Sequence, residues 1–330
     1  METGGGRVLQ VKIRDFSEPE FNLEELCMKT AVVTGAAGFI GGAFTAYLLE
    51  KGYRVFAVSR EPSRIKGVLE NEQFRPVKAD FSEYGLLSNQ ISKADIFYHF
   101  AWDGVGGENA VNYEIQLENV KATCEAIQQA AKIGCKKFVY AGSVSELEIR
   151  ECLDKNVCAP RLHCVYASAK LTAETLCKIL AAQYGILFNA GLFANIIGPG
   201  DYSRRSTNSI LNQFLHGEAP KLVKGDGLND WLYIKDAVRL IEAMGEYGKH
   251  NKTYYIGHTE LWPLRKTIEK ARDIVAPGLQ LKFGVIPDTF LIDYSYVDPK
   301  ALFLDTGCKA SYSFTQAIRE TADWVRTLSF

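Results

Sequence analysis

Tyr166 and Lys170 stand four residues apart in Val165-Tyr166-Ala167-Ser168-Ala169-Lys170, a segment without a helix breaker. On a helix that spacing turns the phenol and the ammonium to one face. A free phenol titrates near about 10, too high to exchange protons readily at neutral pH, and a fixed cation beside it favours the ionised form. The pair therefore suits general acid–base chemistry at an alcohol or carbonyl. Ser143 closes the run Phe138-Val139-Tyr140-Ala141-Gly142-Ser143, where a hydroxyl could orient a carbonyl oxygen. Ser145 is the nearby alternative; Ser143 is preferred because it keeps register with the strand end.

A second constellation lies upstream, in Thr34-Gly35-Ala36-Ala37-Gly38-Phe39-Ile40-Gly41. It falls between an apolar run that reads as a strand and a stretch that reads as a helix. Glycines there let the backbone turn sharply and approach a pyrophosphate, which then rests on the positive end of the helix. Gly35, Ala37, Gly38, Phe39, Ile40 and Gly41 are thus expected to hold a dinucleotide. About 20 residues beyond such glycines, an NAD-binding chain usually carries an acid for both ribose hydroxyls. This chain has Ser59 and Arg60 there, with Arg64 one turn on. A guanidinium clasps a 2′-phosphate where a carboxylate repels it, so NADP(H) is favoured over NAD(H).

The elements that must position these groups alternate. Strands are expected at Thr30–Thr34, Arg54–Ser59, Arg75–Lys78, Asp95–Phe100, Lys137–Ala141 and within Leu187–Ile197. Helices are expected at Gly41–Lys51, Asn112–Ile133, Val165–Tyr184 and about Thr315–Thr327. Such alternation implies an α/β fold, a Rossmann-type doubly wound parallel sheet covered on both faces. Residues 1–28, with a short strand at Val8–Ile13, read as an extension. Residues 29–197 form the dinucleotide-binding domain with the reacting residues, which also receives 230–258. Residues 198–330 are mostly a smaller C-terminal substrate-binding lobe.

Composition excludes several classes. With 38 basic and 39 acidic residues interspersed, there is no nucleic-acid footprint or polybasic membrane contact. No run reaches the ~18 apolar residues of a membrane span, and the charged start argues against export, so a cytoplasmic protein is expected. None of the eight cysteines forms a Cys-x-x-Cys pair. Cys152, Cys158 and Cys164, with His163, match no common zinc spacing, so free thiols and no metal are expected.

The Gly-x-x-Gly-x-x-Gly spacing resembles the extended short-chain dehydrogenase/reductase family, which includes the NAD(P)-dependent nucleotide-sugar epimerases, dehydratases and reductases. The likeness runs from about Lys29 to Phe330. Ala79-Asp80-Phe81 resembles the family's adenine-contacting segment. His99-Phe100-Ala101 resembles its fourth-strand segment beside the cofactor, and Leu117-Glu118-Asn119-Val120 its Asn-Val segment. The resemblance implies that Asp80, Phe81, Phe100, Ala101, Asn119 and Lys170 contact the cofactor, and that Ser143 joins Tyr166 and Lys170 in catalysis. Asn195-Ile196-Ile197-Gly198-Pro199-Gly200 and Asn229-Asp230-Trp231-Leu232-Tyr233-Ile234-Lys235-Asp236 resemble sugar-nucleotide-binding segments, which places Asn195 and Asn229 at the substrate. Arg204 and Arg205 add a basic pair suited to a phosphate.

There are two departures. Asn229 replaces a common phosphate-binding Arg, and Trp102-Asp103-Gly104-Val105-Gly106-Gly107 replaces a shorter loop. Trp102 either walls the cofactor and sugar sites or packs at the lobe boundary. The resemblance implies an NADP(H)-dependent oxidoreductase acting by hydride transfer, with Tyr166 as acid/base. The leading substrate is the 4-keto group of a nucleotide-diphosphate 6-deoxysugar. A 4-epimerase, a reductase of a non-nucleotide carbonyl compound and a non-catalytic NADP(H) sensor are the alternatives. A homodimer paired through the two long helices is expected by the same analogy.

Overall fold

The computed structural model describes residues 28–65, 67–154, 164–287 and 292–329. Val8–Ile13, Cys158 and His163 lie outside them. The apolar runs form strands β1 (Thr30–Thr34), β2 (Arg54–Ser59), β3 (Phe74–Lys78), β4 (Ile96–His99), β5 (Lys137–Ser143) and β6 (Leu187–Phe193). The sixth strand lies within the expected Leu187–Ile197 and leaves the sheet after Phe193. Its tail, β7 (Asn195–Ile197), pairs away from the sheet with β9 (Trp231–Tyr233), which follows β8 (Leu228–Asn229). A seventh sheet strand is β10 (Thr253–Ile256), and β11 (Trp262–Pro263) pairs antiparallel with β8.

The main sheet runs β10-β6-β5-β4-β1-β2-β3, and every neighbouring pair is parallel. This is the expected doubly wound α/β sheet. Alternate residues feed opposite cores. Ala31, Val33, Val55, Ala57 and Val139 face one cluster; Val32, Val58, Phe97, Phe138 and Phe188 face the other. That alternation is the period-2 geometry of a strand, and both clusters being apolar explains the unbroken hydrophobic runs.

Helix α1 (Phe39–Glu50) follows β1, and short α2 (Leu87–Gln90) and α3 (Glu108–Val111) lie between β3 and the long α4 (Tyr113–Ile133). Asn112 caps α4, its side chain accepting from the N–H groups of Glu114 and Ile115, and left-handed Gly134 ends it. Helix α5 (Glu146–Asp154) leads on to α6 (Cys164–Tyr184), which packs along α4. Beyond the sixth strand come α7 (Ser206–Leu215), α8 (Ile234–Tyr247), α9 (Leu264–Val275), α10 (Ala301–Thr306) and α11 (Phe314–Arg326). Helix α11 buries Ala317, Ile318, Thr321, Ala322 and Val325, a stripe of helical period. No helix among the described residues is long and apolar enough to cross a membrane.

Strand order reverses between β4 and β1, so their carboxyl ends diverge and leave a crevice. His99 closes the floor of that crevice. Its ring is 1% exposed, with Nδ1 2.8 Å from Thr34 Oγ1 and Nε2 3.0 Å from Thr123 Oγ1. Burial pushes this imidazole down to about 3, and the Lys170 charge pushes the same way. An unfolded His takes up a proton near 6.5, which the folded state refuses. The contribution is therefore whole above about 6.5 and is lost as pH falls toward about 3. Chemical denaturation at pH 7, 6 and 5 should show the wild type losing roughly 1 kcal/mol per pH unit more than His99→Gln.

Candidate active site

The loop after β1 is shaped by glycine. Gly35 has φ +68°, and a Cβ there would stand 2.7 Å from the Ala101 nitrogen. A Cβ on Gly41 would stand 2.2 Å from the Gly35 carbonyl, so α1 sits directly on the turn. Ala36 N–H donates to Val58 O at 3.2 Å and ties the loop to β2. Gly38 begins α1 without a side-chain cap, and Ala37, Phe39 and Ile40 are half-buried around it. An uncapped helix start behind a bare glycine turn is a cradle that fits a pyrophosphate.

At the end of β2, Ser59 Oγ accepts the Glu61 N–H at 3.1 Å. Arg60 carries a 69% exposed side chain, 4.0 Å from Asp103, and Arg64 pairs with Glu61 at 3.5 Å. Arg60 thus stands at the rim of the crevice in a loose surface pair. After β3, exposed Asp80 caps its own turn, accepting from Phe81 N–H at 2.8 Å, and Phe81 packs edge-on to Tyr84.

Lys170, Tyr166 and Ser143 come together where β5 meets α6. Lys170 is 4% exposed; its ammonium donates to Ala141 O at 2.8 Å and lies 3.7 Å from the Trp102 ring centre. Burial pushes it down to about 7, a fall that a negative charge on Glu146 would oppose. Tyr166, half-buried, lies edge-on to Trp102 at 6.1 Å and shares a hydrogen bond with the Ser143 hydroxyl. Burial pushes the phenol up to about 12; Ser143 and Arg205 pull it down, and a negative charge on Glu146 would add to the rise. Ser145 turns its backbone N–H, not its hydroxyl, onto Ser143 Oγ at 3.2 Å.

Trp102 therefore packs against both Tyr166 and Lys170. Gln116, 1% exposed, accepts its indole N–H at 2.9 Å and donates to the carbonyls of Asp103, Gly104 and Asn109. Asn119 lies behind the same loop. It is 1% exposed, accepts from Asp103 N–H at 2.7 Å and donates to the carbonyls of Asp103 and Ile115. Its amide thereby ties the loop after β4 to α4. Phe100 packs on Phe44 at 5.4 Å, with Ala101 buried behind the glycine turn.

On the far side, Asn195 Nδ2 donates to Asn229 Oδ1 at 3.3 Å. A cavity of about 210 Å³ opens beside Asn229, lined also by Asp230, His258, Trp262 and Phe314. The basic pair is split. Arg205 donates to Asp201 Oδ2 at 2.8 Å and stands 5.7 Å from the Phe39 ring, between the glycine turn and Tyr166. Arg204 is exposed to solvent.

A sequence profile described as the NAD dependent epimerase/dehydratase family matches residues 31–257. The chain belongs to this family. It is 25% identical to a dTDP-glucose 4,6-dehydratase of Streptomyces antibioticus, over 89% of this chain and 92% of that one. Its fold matches that of a dTDP-glucose 4,6-dehydratase of Streptomyces venezuelae solved with NAD and bound ligand. The TM-score is 0.74 at 20% identity, over 91% and 97% of the two chains. A UDP-glucose 4-epimerase of Thermotoga maritima solved with UDP-glucose gives 0.69 at 20% identity, over 90% and 98%.

In this member of the epimerase/dehydratase family the glycine turn, Arg60, Phe100–Trp102, Ser143 and Asn195 lie at or just beyond the carboxyl ends of β1, β2, β4, β5 and β6. Three residues were not singled out from the sequence: Gln116, Asp201 and Glu146. Gln116 and Asp201 carry no local motif. Glu146 is legible only as an acid beginning a helix three residues after Ser143. Among the described residues no group of three or more His, Cys, Asp or Glu side chains converges as a metal site.

Gln116→Leu removes four hydrogen bonds from Trp102 and its loop at once. It should cost about 2–4 kcal/mol, with faster amide exchange across residues 103–109 than in β5. Uniform exchange would mean that the loop is held otherwise.

Proposed function

We propose that this chain is an NADP(H)-dependent reductase of the 4-keto group of a nucleotide-diphosphate 6-deoxysugar. The observation that carries the cofactor choice is Arg60, an exposed guanidinium at the end of β2 where a dinucleotide's adenosine ribose would lie. The bare turn at Gly35–Gly41 would hold the pyrophosphate, Arg60 the 2′-phosphate, and Lys170 the nicotinamide ribose. When bound, the cofactor supplies the hydride.

The protein's own groups do the rest. Ser143 orients the carbonyl oxygen, and Tyr166 gives that oxygen its proton. A phenol pushed up to about 12 holds its proton across the physiological range, which suits the donor that reduction needs. An epimerase must first withdraw a proton from an alcohol, and that step calls for the phenolate. Trp102 shields Lys170 from water and walls the site, while Asn195 and Asn229 hydrogen-bond the sugar or its phosphates. The relatives' bound nucleotide sugars support the substrate class, which the acid–base groups alone do not specify. The 4-epimerase is the second reading, favoured by the NAD bound in the dehydratase of like fold. Two copies pairing through α4 and α6 would cover Leu117 and Ile179, which are exposed on the single chain.

Titration with NADPH and NADH, followed by incubation with 4-keto-6-deoxy nucleotide sugars, tests this directly. Arg60→Glu should weaken NADPH binding by about 10–100-fold and leave NADH binding nearly unchanged. Tyr166→Phe should abolish turnover yet bind NADPH. Retained NAD, with interconversion of 4-epimers and no net reduction, would establish the second reading instead.

The pH dependence follows from Lys170. Its ammonium is present below about 7 and is lost as pH rises through that value. The reductive kcat/KM should therefore decline on the alkaline side of about 7, measured from pH 6 to 9. A flat profile would mean that the bound cofactor or substrate holds the ammonium charged.

A further inference from the structure

Beneath Ser143 lies a carboxyl group with no part in the chemistry above. Glu146 is 0% exposed, and its Oε1 accepts the Ser143 backbone N–H at 2.8 Å. The same oxygen lies 2.6 Å from where a Cβ on Gly142 would stand, so a glycine before Ser143 leaves the room this carboxyl occupies. Its Oε2 is buried without a donor of its own. What acts on it most closely after burial is a second carboxyl, Glu174, itself 1% exposed.

The two acids are unequally supplied. Glu174 accepts from Lys178, from Thr253 Oγ1 at 2.6 Å and from Arg150 at 3.2 Å. Glu146 has one backbone N–H, with only the charge of Lys170 beside it. Two ionised carboxylates in contact and out of water repel strongly, so one proton is retained between them. It belongs on the acid with fewer cations. A protonated Oε2 donating to Glu174 also removes the unsatisfied buried oxygen.

We infer that Glu146 is held as a neutral carboxylic acid, sharing its proton with Glu174, and that it is the positioning residue for the end of β5 that carries Ser143. A carboxylate could make the same bond to Ser143 N–H, but it would place a negative charge beside Tyr166 and Lys170. The neutral acid fixes the serine without raising the phenol further. Burial and the adjacent Glu174 push Glu146 far above the usual carboxylate range. Burial pushes Glu174 up as well, but the hydrogen bonds from Glu146, Lys178 and Thr253 outweigh it and hold it below that range. The positioning role rests on Ser143 being the carbonyl-orienting hydroxyl; the location of the proton does not.

Gln is the isostere of the protonated acid, with an oxygen for Ser143 N–H and an amide N–H for Glu174. Three proteins are compared: wild type, Glu146→Gln and Glu146→Leu. Infrared spectra of protein labelled with carboxyl-13C glutamate should show a protonated-carboxyl stretch at pH 8 in the wild type that Glu146→Gln lacks. With the ketosugar that wild type reduces, Glu146→Gln should keep kcat within about threefold and leave the pH profile in place, whereas Glu146→Leu should lose about 10–100-fold in kcat at unchanged NADPH affinity. Absence of the infrared band, or a displaced pH profile in Glu146→Gln, would show an ionised Glu146 and overturn the inference. Full turnover in Glu146→Leu would remove the positioning role. Should Glu146→Leu not fold, the band and the Gln profile still decide. Were the wild type to reduce no ketosugar, the proposed function would fall while the infrared result still decides the proton.

Discussion

The ammonium of Lys170 is almost wholly out of water, and the elements around it are arranged to make that tolerable. An isolated buried cation costs several kcal/mol unless its donors are used. Here one carbonyl at the end of β5 accepts from it, and the face of Trp102 covers it at 3.7 Å. Tyr140 fixes the helix that carries it, its phenol donating to the Lys170 backbone carbonyl at 3.1 Å. Strand β5, helix α6 and the loop after β4 are thereby locked to one another at the point where Tyr166 and Ser143 converge. The loop is itself held from below by Gln116 and Asn119, two amides buried on α4.

The same corner shows how charge is kept under control. Three ionisable groups, Tyr166, Lys170 and Glu146, lie close together with little water to screen them. Burial moves each toward its neutral form: phenol, amine and carboxylic acid. The full charges lie farther out, on the Lys178–Glu174–Arg150 cluster and on Arg60 at the rim. A site of this kind responds strongly to any charge brought into it, which is what a phosphate-bearing cofactor and substrate would do.

Everything that bears on the candidate site gathers at one edge of the sheet. Parallel strands aim all their carboxyl ends the same way, and the reversal of order between β4 and β1 keeps neighbouring connections from filling the gap. The departure of β7 from β6 extends this edge. After Phe193 the chain leaves the main sheet, pairs with β9, and so brings Asn195 against Asn229, 34 positions away in the chain.

Local signals were enough for much of this. A strand, a glycine turn and a helix read as a phosphate cradle because backbone freedom and helix polarity are properties of adjacent residues. Tyr166 and Lys170 share a face because helical spacing is local, and unbroken apolar runs imply a parallel sheet covered on both sides. What the sequence could not decide were the outcomes of competition among distant groups. The Asn-Val motif says nothing of the Asp103 backbone that the Asn119 amide holds. Trp102 was ambiguous until Lys170 was seen beneath its ring. The Arg204–Arg205 pair looked like one feature, but Asp201 draws only one of the two inward. Glu146 and Glu174 are 28 positions apart, and their shared proton exists only because folding buries them face to face. Hydrogen-bond capacity and dielectric surroundings belong to positions in space, so residue type and spacing nominate the groups while tertiary structure determines their partners and their charge.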